Sequence, residues 1–271
     1  MAILYTPVSM RVFVILPAAG IGTRMFAGSG AATPKQFLSI AGVPVLVHCL
    51  RAFVAVERVE MVYVAVRGPE MERVRALVAE FGLGTAGSGG KVHVVEGGDN
   101  RQQSVSNALA QLVSTTGCAG EDVVLVHDAA RPLIDGGTIE RTIDAVVEHG
   151  AAIVGLPAVD TIKQVERTAH GAIVTATIPR ERIVQAQTPQ GARCGLLRQA
   201  FAEAEADEFA GTDEASLLER AGIAVAVVPG SAKNFKITQP GDLELAEFYM
   251  KTPPRINADE RGSKTGDIAR K

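Results

Sequence analysis

Residues 12–25 read Val12-Phe13-Val14-Ile15-Leu16-Pro17-Ala18-Ala19-Gly20-Ile21-Gly22-Thr23-Arg24-Met25. Five large apolar residues in a row, then a proline and small residues, describe a strand buried on both faces that runs into a glycine turn. The same kind of run recurs at Met61–Val66, Val92–Val95, Val123–Val126, Ala151–Leu156 and Ala224–Val228. Helical patterns lie between and after these runs, at Val45–Val54, Glu70–Phe81, Gln102–Val113, Thr138–His149, Leu196–Ala206, Asp213–Arg220 and Asp242–Met250. Such alternation predicts right-handed βαβ crossovers and an α/β fold, a three-layer sandwich on a mainly parallel sheet.

The rest of the composition agrees with that reading. The chain has 271 residues, 47% hydrophobic and 21% charged, enough for a sizeable core in one domain. Its net charge of −3, 4% aromatics and lack of Trp argue against a nucleic-acid binder built on a basic face or a stacking platform. No apolar run reaches the roughly 18 residues of a membrane span. Cys49, Cys118 and Cys194 are scattered, with no disulfide framework and no zinc spacing, which suits a reducing, cytoplasmic compartment. The segment before Val12 lacks the positive region of a signal peptide, so none is expected.

From Met1 to Val56 there is no Asp or Glu, whereas Arg11, Arg24, Lys35 and Arg51 all fall there, a balance suited to an anionic ligand. Two internal stretches break the strand–helix rhythm. Gly82–Gly90, with five glycines in nine residues, reads as a mobile connection. Asp160–Arg180 alternates polar and apolar residues around His170-Gly171 and reads as a β-hairpin excursion. The single domain is expected over residues 11–250, with the hairpin at 160–180 as an arm. The charged tail, 251–271, is expected to be disordered.

In an open parallel sheet, ligands sit beyond the carboxyl ends of the strands, so the loops there carry the chemistry. The loop after the first strand has Gly-x-Gly, but Met25 stands where a dinucleotide fingerprint needs its third glycine, and the later acidic residue is absent. Arg24 and Lys35 together predict a phosphate clamp, Arg as a fork and Lys as a mobile point charge. Gly97-Gly98-Asp99-Asn100-Arg101 leads to Ser104, a group able to cradle a base or simply to open a helix. Asp128, in Val126-His127-Asp128-Ala129-Ala130-Arg131-Pro132, has two readings: a magnesium ligand beside phosphates, or a partner of Arg131 that fixes the turn. His127 reads as structural. Thr212 reads as a helix N-cap, and Lys236, between Phe235 and Ile237, as a cation on a short strand.

These loops, with Pro34-Lys35-Gln36, Thr188-Pro189-Gln190, Thr212-Asp213-Glu214-Ala215 and Lys236-Ile237-Thr238, resemble the 2-C-methyl-D-erythritol 4-phosphate cytidylyltransferases in order from about Val12 to Met250. The resemblance implies a Rossmann-like nucleotidyltransferase fold and transfer of CMP from CTP to a polyol phosphate in non-mevalonate isoprenoid synthesis, with Mg²⁺. It implies that Ala18, Ala19, Gly20, Gly98, Asp99, Ser104 and Ala129 line the CTP site, and that Arg24 and Lys35 are the catalytic cations. It places Asp128, Arg131, Thr161, Arg180, Thr188, Thr212 and Lys236 around the acceptor, with Asp128 and Lys236 also serving catalysis. The chain departs from the pattern at Thr23, where Arg is usual, and in a longer 26–33 loop. A ribitol 5-phosphate cytidylyltransferase is the nearest alternative, and no second enzymatic domain is expected. The arm carries Ile162, Val165, Ile173, Val174 and Ile178 with no core of its own, which predicts a homodimer contact; the resemblance implies that Thr161 and Arg180 then act on the neighbour's site.

Overall fold

A seven-stranded sheet forms the middle layer of the fold, a computed structural model that describes residues 10–20, 33–85, 87 and 89–251. Its strands are β1 (Val12–Pro17), β4 (Val59–Val66), β5 (Val92–Glu96), β6 (Val123–Val126), β7 (Ala151–Pro157), β10 (Val184–Arg193) and β11 (Ala226–Pro229). They lie in the order β11-β7-β10-β6-β1-β4-β5, all parallel except β10, which runs antiparallel between β6 and β7. A two-stranded ribbon, β2 (Ser39–Ile40) with β3 (Val43–Pro44), and a separate hairpin, β8 (Ile162–Thr168) with β9 (Gly171–Ile178), complete the strands. The helices are α1 (Val45–Val54), α2 (Met71–Glu80), α3 (Arg101–Thr116), α4 (Gly136–His149), α5 (Cys194–Ala206), α6 (Glu214–Arg220) and α7 (Pro240–Lys251).

Strand periodicity explains the two covering layers. Val12, Val14 and Leu16 of β1 face α1, α2 and α4 through Leu50, Phe53, Val74 and Ile143. Phe13 and Ile15 face the other way, toward Val105 and Leu112 of α3, Leu197 of α5 and Leu217 of α6. Both sets are buried, as continuous apolar strands require. Asn100 and Asp135 cap α3 and α4, their side chains accepting from the amides of Gln103 and Thr138 at 2.8 Å each.

Several expectations need correction. The strand β10 has no counterpart in the apolar pattern, because its sequence, VQAQTPQGAR, is polar and carries Pro189 and Gly191. Within the stretch 82–90, the Gly90 amide donates to the Thr85 carbonyl at 2.9 Å, and the Val92 amide donates to the Gly84 carbonyl at 3.3 Å. Lys236 lies on irregular backbone rather than on a strand. The N-cap of α6 is Asp213, not Thr212; its side chain accepts from the Ser216 amide at 3.0 Å. The expectations for Gly22, Thr23, Arg24, Met25, residues 26–32, the segment before Met10 and the tail after Lys251 fall outside the described residues.

Candidate active site

The carboxyl ends of β1, β5 and β6 open onto a cavity of about 320 Å³. Hydrogen bonds carry the sheet ladder into its walls, from the Ala18 amide to the Ala65 carbonyl (2.7 Å), Gly97 to Val66 (2.7 Å) and His127 to Ile15 (2.9 Å). The loops are therefore continuations of rigid strands. Ala19 and Gly20 line the cavity, whereas Ala18 is a brace: its carbonyl accepts from the buried Gln36 side chain at 2.7 Å.

The β5 loop is built around Ser104. Its hydroxyl accepts from the Gly98 amide at 3.0 Å and donates to the Asn100 carbonyl at 2.8 Å. A Cβ at Gly98 would lie 2.3 Å from Cγ and 2.7 Å from Cβ of Gln103, so the close turn requires glycine there. Gly98, Asp99, Ser104 and Ala129 all line the cavity, as does Lys35, whose ammonium donates to the Ile237 carbonyl at 3.4 Å.

At the inner wall Asp128, 7% exposed, meets three cations. Lys236 Nζ is 2.9 Å from Oδ2, Arg131 Nε is 3.5 Å from Oδ2, and Arg101 Nε is 3.1 Å from Oδ1. Burial by itself would raise the Asp128 carboxyl; Lys236 and Arg101, with Arg131, outweigh it and hold the group well below the usual carboxylate range. Lys236 keeps its place because the Ile237 amide donates to the Ala130 carbonyl at 2.8 Å. Arg131 also donates to the Asn234 carbonyl at 2.9 Å.

Behind Asp128 lies a second, fully buried layer. Thr188 accepts from the Asp128 amide at 3.1 Å and contacts His127 Nδ1 at 3.0 Å, while His127 Nε2 faces the Arg131 carbonyl at 3.1 Å. A carbonyl can only accept, so Nε2 carries the proton and the Thr188 hydroxyl donates to Nδ1. His127 is structural, as the sequence suggests. Thr188 turns inward, 4% exposed, instead of lining the cavity. Gln187 and Asn234, buried partners in the same layer, have no distinguishing signal in the sequence: the Asn234 amide donates to the Thr188 carbonyl at 2.8 Å.

Not every candidate converges. Thr161, Arg180 and Thr212 are exposed and do not line this cavity. The described basic residues of the acid-free segment disperse. Arg11 pairs with Asp122 at 2.7 Å before β1, and Arg51 lies over the Phe81 ring; among the described residues of that segment only Lys35 brings a charge to the cavity. Arg101 and Glu214, quoted in the motifs but given no role in the site, belong to it: Arg101 joins Asp128 to Glu214 on α6.

The family model described as 2-C-methyl-D-erythritol 4-phosphate cytidylyltransferase, IspD, matches residues 12–252. A relative of that name from Acidobacterium capsulatum is 69% identical over 89% of this chain and 98% of its own. One from Solibacter usitatus is 49% identical over 89% and 96%. The solved structure of the Thermus thermophilus enzyme is similar at a TM-score of 0.68 and 33% identity, covering 90% of this chain and all of that one. That of the Francisella tularensis enzyme gives 0.70 and 33%, covering 88% and 99%.

Proposed function

The chain belongs to the 2-C-methyl-D-erythritol 4-phosphate cytidylyltransferase family and transfers CMP from CTP to that polyol phosphate, releasing pyrophosphate; we propose that it does so by electrostatic means, through the residues that wall the cavity. The observation that carries this reading is the pair of lysines, Lys35 and Lys236, in one cavity, the second anchored on a buried aspartate.

The acceptor phosphate has a second pKa of about 6 and is largely a dianion at neutral pH, so its oxygen attacks without a protein base. A bond forms from that oxygen to the α-phosphorus of CTP, and the bond to the β-bridging oxygen breaks. Negative charge moves onto departing pyrophosphate. The protein's task is to bring two anions together and to stabilise that charge. Gly98, Asp99, Ser104 and Ala129 shape the nucleotide wall; Lys35 meets the triphosphate, joined by Arg24 as the family resemblance implies; Lys236 faces the acceptor phosphate, with Arg131 behind it on Asp128. His127 stays neutral and takes no part in proton transfer.

Asp128 does not fit a metal ligand, since both its oxygens are engaged by cations. Among the described residues no group of His, Cys, Asp and Glu is arranged to hold a metal ion. On this reading a divalent cation, if turnover uses one, would not be held by Asp128. The residue roles above do not depend on it. Thr161 and Arg180 are assigned to the neighbour's site in a homodimer, and Thr188 and Thr212 to support of the acceptor side. A cytoplasmic location accords with three free, buried cysteines.

The deciding assay supplies CTP and Mg²⁺ with either methylerythritol 4-phosphate or ribitol 5-phosphate and measures pyrophosphate. Release with the first acceptor, and its loss on chelation, is the expected result. Release with ribitol 5-phosphate alone would overturn the acceptor, and undiminished release after chelation would overturn the cation.

A further inference from the structure

Arg101 is the first residue of α3, where a positive charge opposes the helix dipole and an acid would be the ordinary choice. Its position makes sense through its contacts. The two terminal nitrogens of its guanidinium donate to the two oxygens of Glu214 at 2.8 Å each, a full fork. Toward Asp128 it turns Nε, which donates to Oδ1 at 3.1 Å. Glu214 is 1% exposed, and α6 is fastened to β10 by Gln190, which accepts from the Ala215 amide and donates to Asp213, each at 2.9 Å.

On the functional reading given above, we propose that Arg101 and Glu214 are positioning residues that set how Asp128 divides its oxygens, and so place the Lys236 ammonium against the acceptor phosphate. A guanidinium presents a rigid fork that takes both oxygens of a carboxylate when it can. With Glu214 filling the fork, Arg101 reaches Asp128 through one N–H. The second oxygen is left to Lys236 at 2.9 Å and Arg131 at 3.5 Å. Without the Glu214 charge, the fork turns to Asp128, the one carboxylate still paired with it, and competes directly with Lys236. Glu214 thus acts on the acceptor through three intervening side chains, Arg101, Asp128 and Lys236, and touches neither substrate.

The test is a double-mutant cycle of Glu214→Gln with Lys236→Ala, reading the KM for each substrate by pyrophosphate release. Glu214→Gln alone should raise the acceptor KM about tenfold or more and leave the CTP KM within about twofold. In the Lys236→Ala background the same substitution should change the acceptor KM by less than about twofold, because the residue it acts through is gone. Additive effects, or equal rises for both substrates, would overturn the proposal. Arg101→Lys loses the N–H that holds Asp128 Oδ1, so Lys236 is no longer confined to Oδ2 and the acceptor KM should rise here too; it decides the matter if the first variant does not fold. Lysine-selective NMR gives a readout free of turnover. The Lys236 side-chain signal, assigned by its disappearance in Lys236→Ala, should move in Glu214→Gln or Arg101→Lys. An unmoved signal overturns this proposal, whereas a wild-type protein silent with both substrates overturns the functional reading instead.

Discussion

His127 shows how far burial reaches into the behaviour of a single side chain. It has no exposed surface, packs edge-on against Phe53 at 4.9 Å, and has both ring nitrogens engaged. Burial, above all, pushes its imidazole down to about 4. An unfolded chain takes up this proton near pH 6.5, whereas the native chain resists it until about 4. Between those values the unfolded state binds more protons. The stability His127 contributes is therefore complete above about 6.5 and is lost as pH falls toward 4, an amount of about 3 kcal/mol. Denaturant melts at pH 7 and 4.5 should show a smaller difference in His127→Gln than in wild type; equal differences would return the imidazole to an ordinary value. At the cavity, Lys35→Ala should lower kcat by about 100-fold or more with a much smaller change in CTP KM, the signature of charge stabilised chiefly in the transition state. A wild-type kcat with only a raised KM would remove Lys35 from catalysis. Asp128 is legible in sequence because a charge just after a buried strand has little structural reason to be there, and Lys35 and Lys236 because each stands in a short motif that resembles the family's. Glu214, Gln187 and Asn234 are not, since each resembles ordinary helix or loop polarity until packing surrounds it.

Among the elements, β10 is where local pattern and tertiary structure part. The parallel strands betray themselves by unbroken apolar runs. An antiparallel strand whose side chains hold a polar network instead of a core leaves no such trace, and its ladder with β7 shifts register between Ala186 and Gln190. It is nonetheless the element that organises the site, since Thr188 reaches Asp128 and Gln190 holds α6. Its passage between β6 and β7 leaves little space. A Cβ at Gly191 would sit 2.4 Å from Leu125 Cδ2 and 3.0 Å from the Val124 carbonyl oxygen. Gly191→Ala should therefore destabilise the protein by about 1–3 kcal/mol through overpacking, measured as a lower urea midpoint. Wild-type stability would mean that β6 and β10 can separate without cost. Such crowding is invisible before the strands are assembled, whereas α1 and β6 match their sequence boundaries because amphipathic and apolar periods are local properties.

At the scale of the whole molecule, one element extends away from the rest of the described residues. The hairpin of β8 and β9 grows from the β7–β10 pair, closed at its base by the Ala158 amide donating to the Ile183 carbonyl at 3.0 Å. Cross-strand pairing sets Val165 opposite Val174 and Ile162 opposite Ile178. The extra residue at the register shift, Thr175, lies on β9, so β8 keeps its alternation: Ile162 and Ile178 lie on one face of the ribbon, and Val165 and Val174 on the other, beside Lys163 and Thr177, which bond across it at 2.7 Å. Val165 and Val174 are 46% and 56% exposed, an arrangement that a two-stranded ribbon does not maintain in water by itself. A two-fold contact would cover the face of Val165 and Val174 and leave the charged residues at its rim. It would also account for Arg180, at the foot of the arm and outside the cavity of its own subunit. The prediction is complementation. An Arg180→Ala subunit and a Lys35→Ala subunit, each inactive alone, are mixed and allowed to exchange. A mixed dimer then holds one site with both residues intact and one with neither, so activity should return, limited to that single site. Sedimentation must show a dimer at the assay concentration, and Val174→Glu, placing a charge in the contact, should shift it toward monomer. If exchange is proven and no activity returns, or if the wild-type chain sediments as a monomer, the arm serves its own subunit and Arg180 has no place at a neighbour's acceptor site.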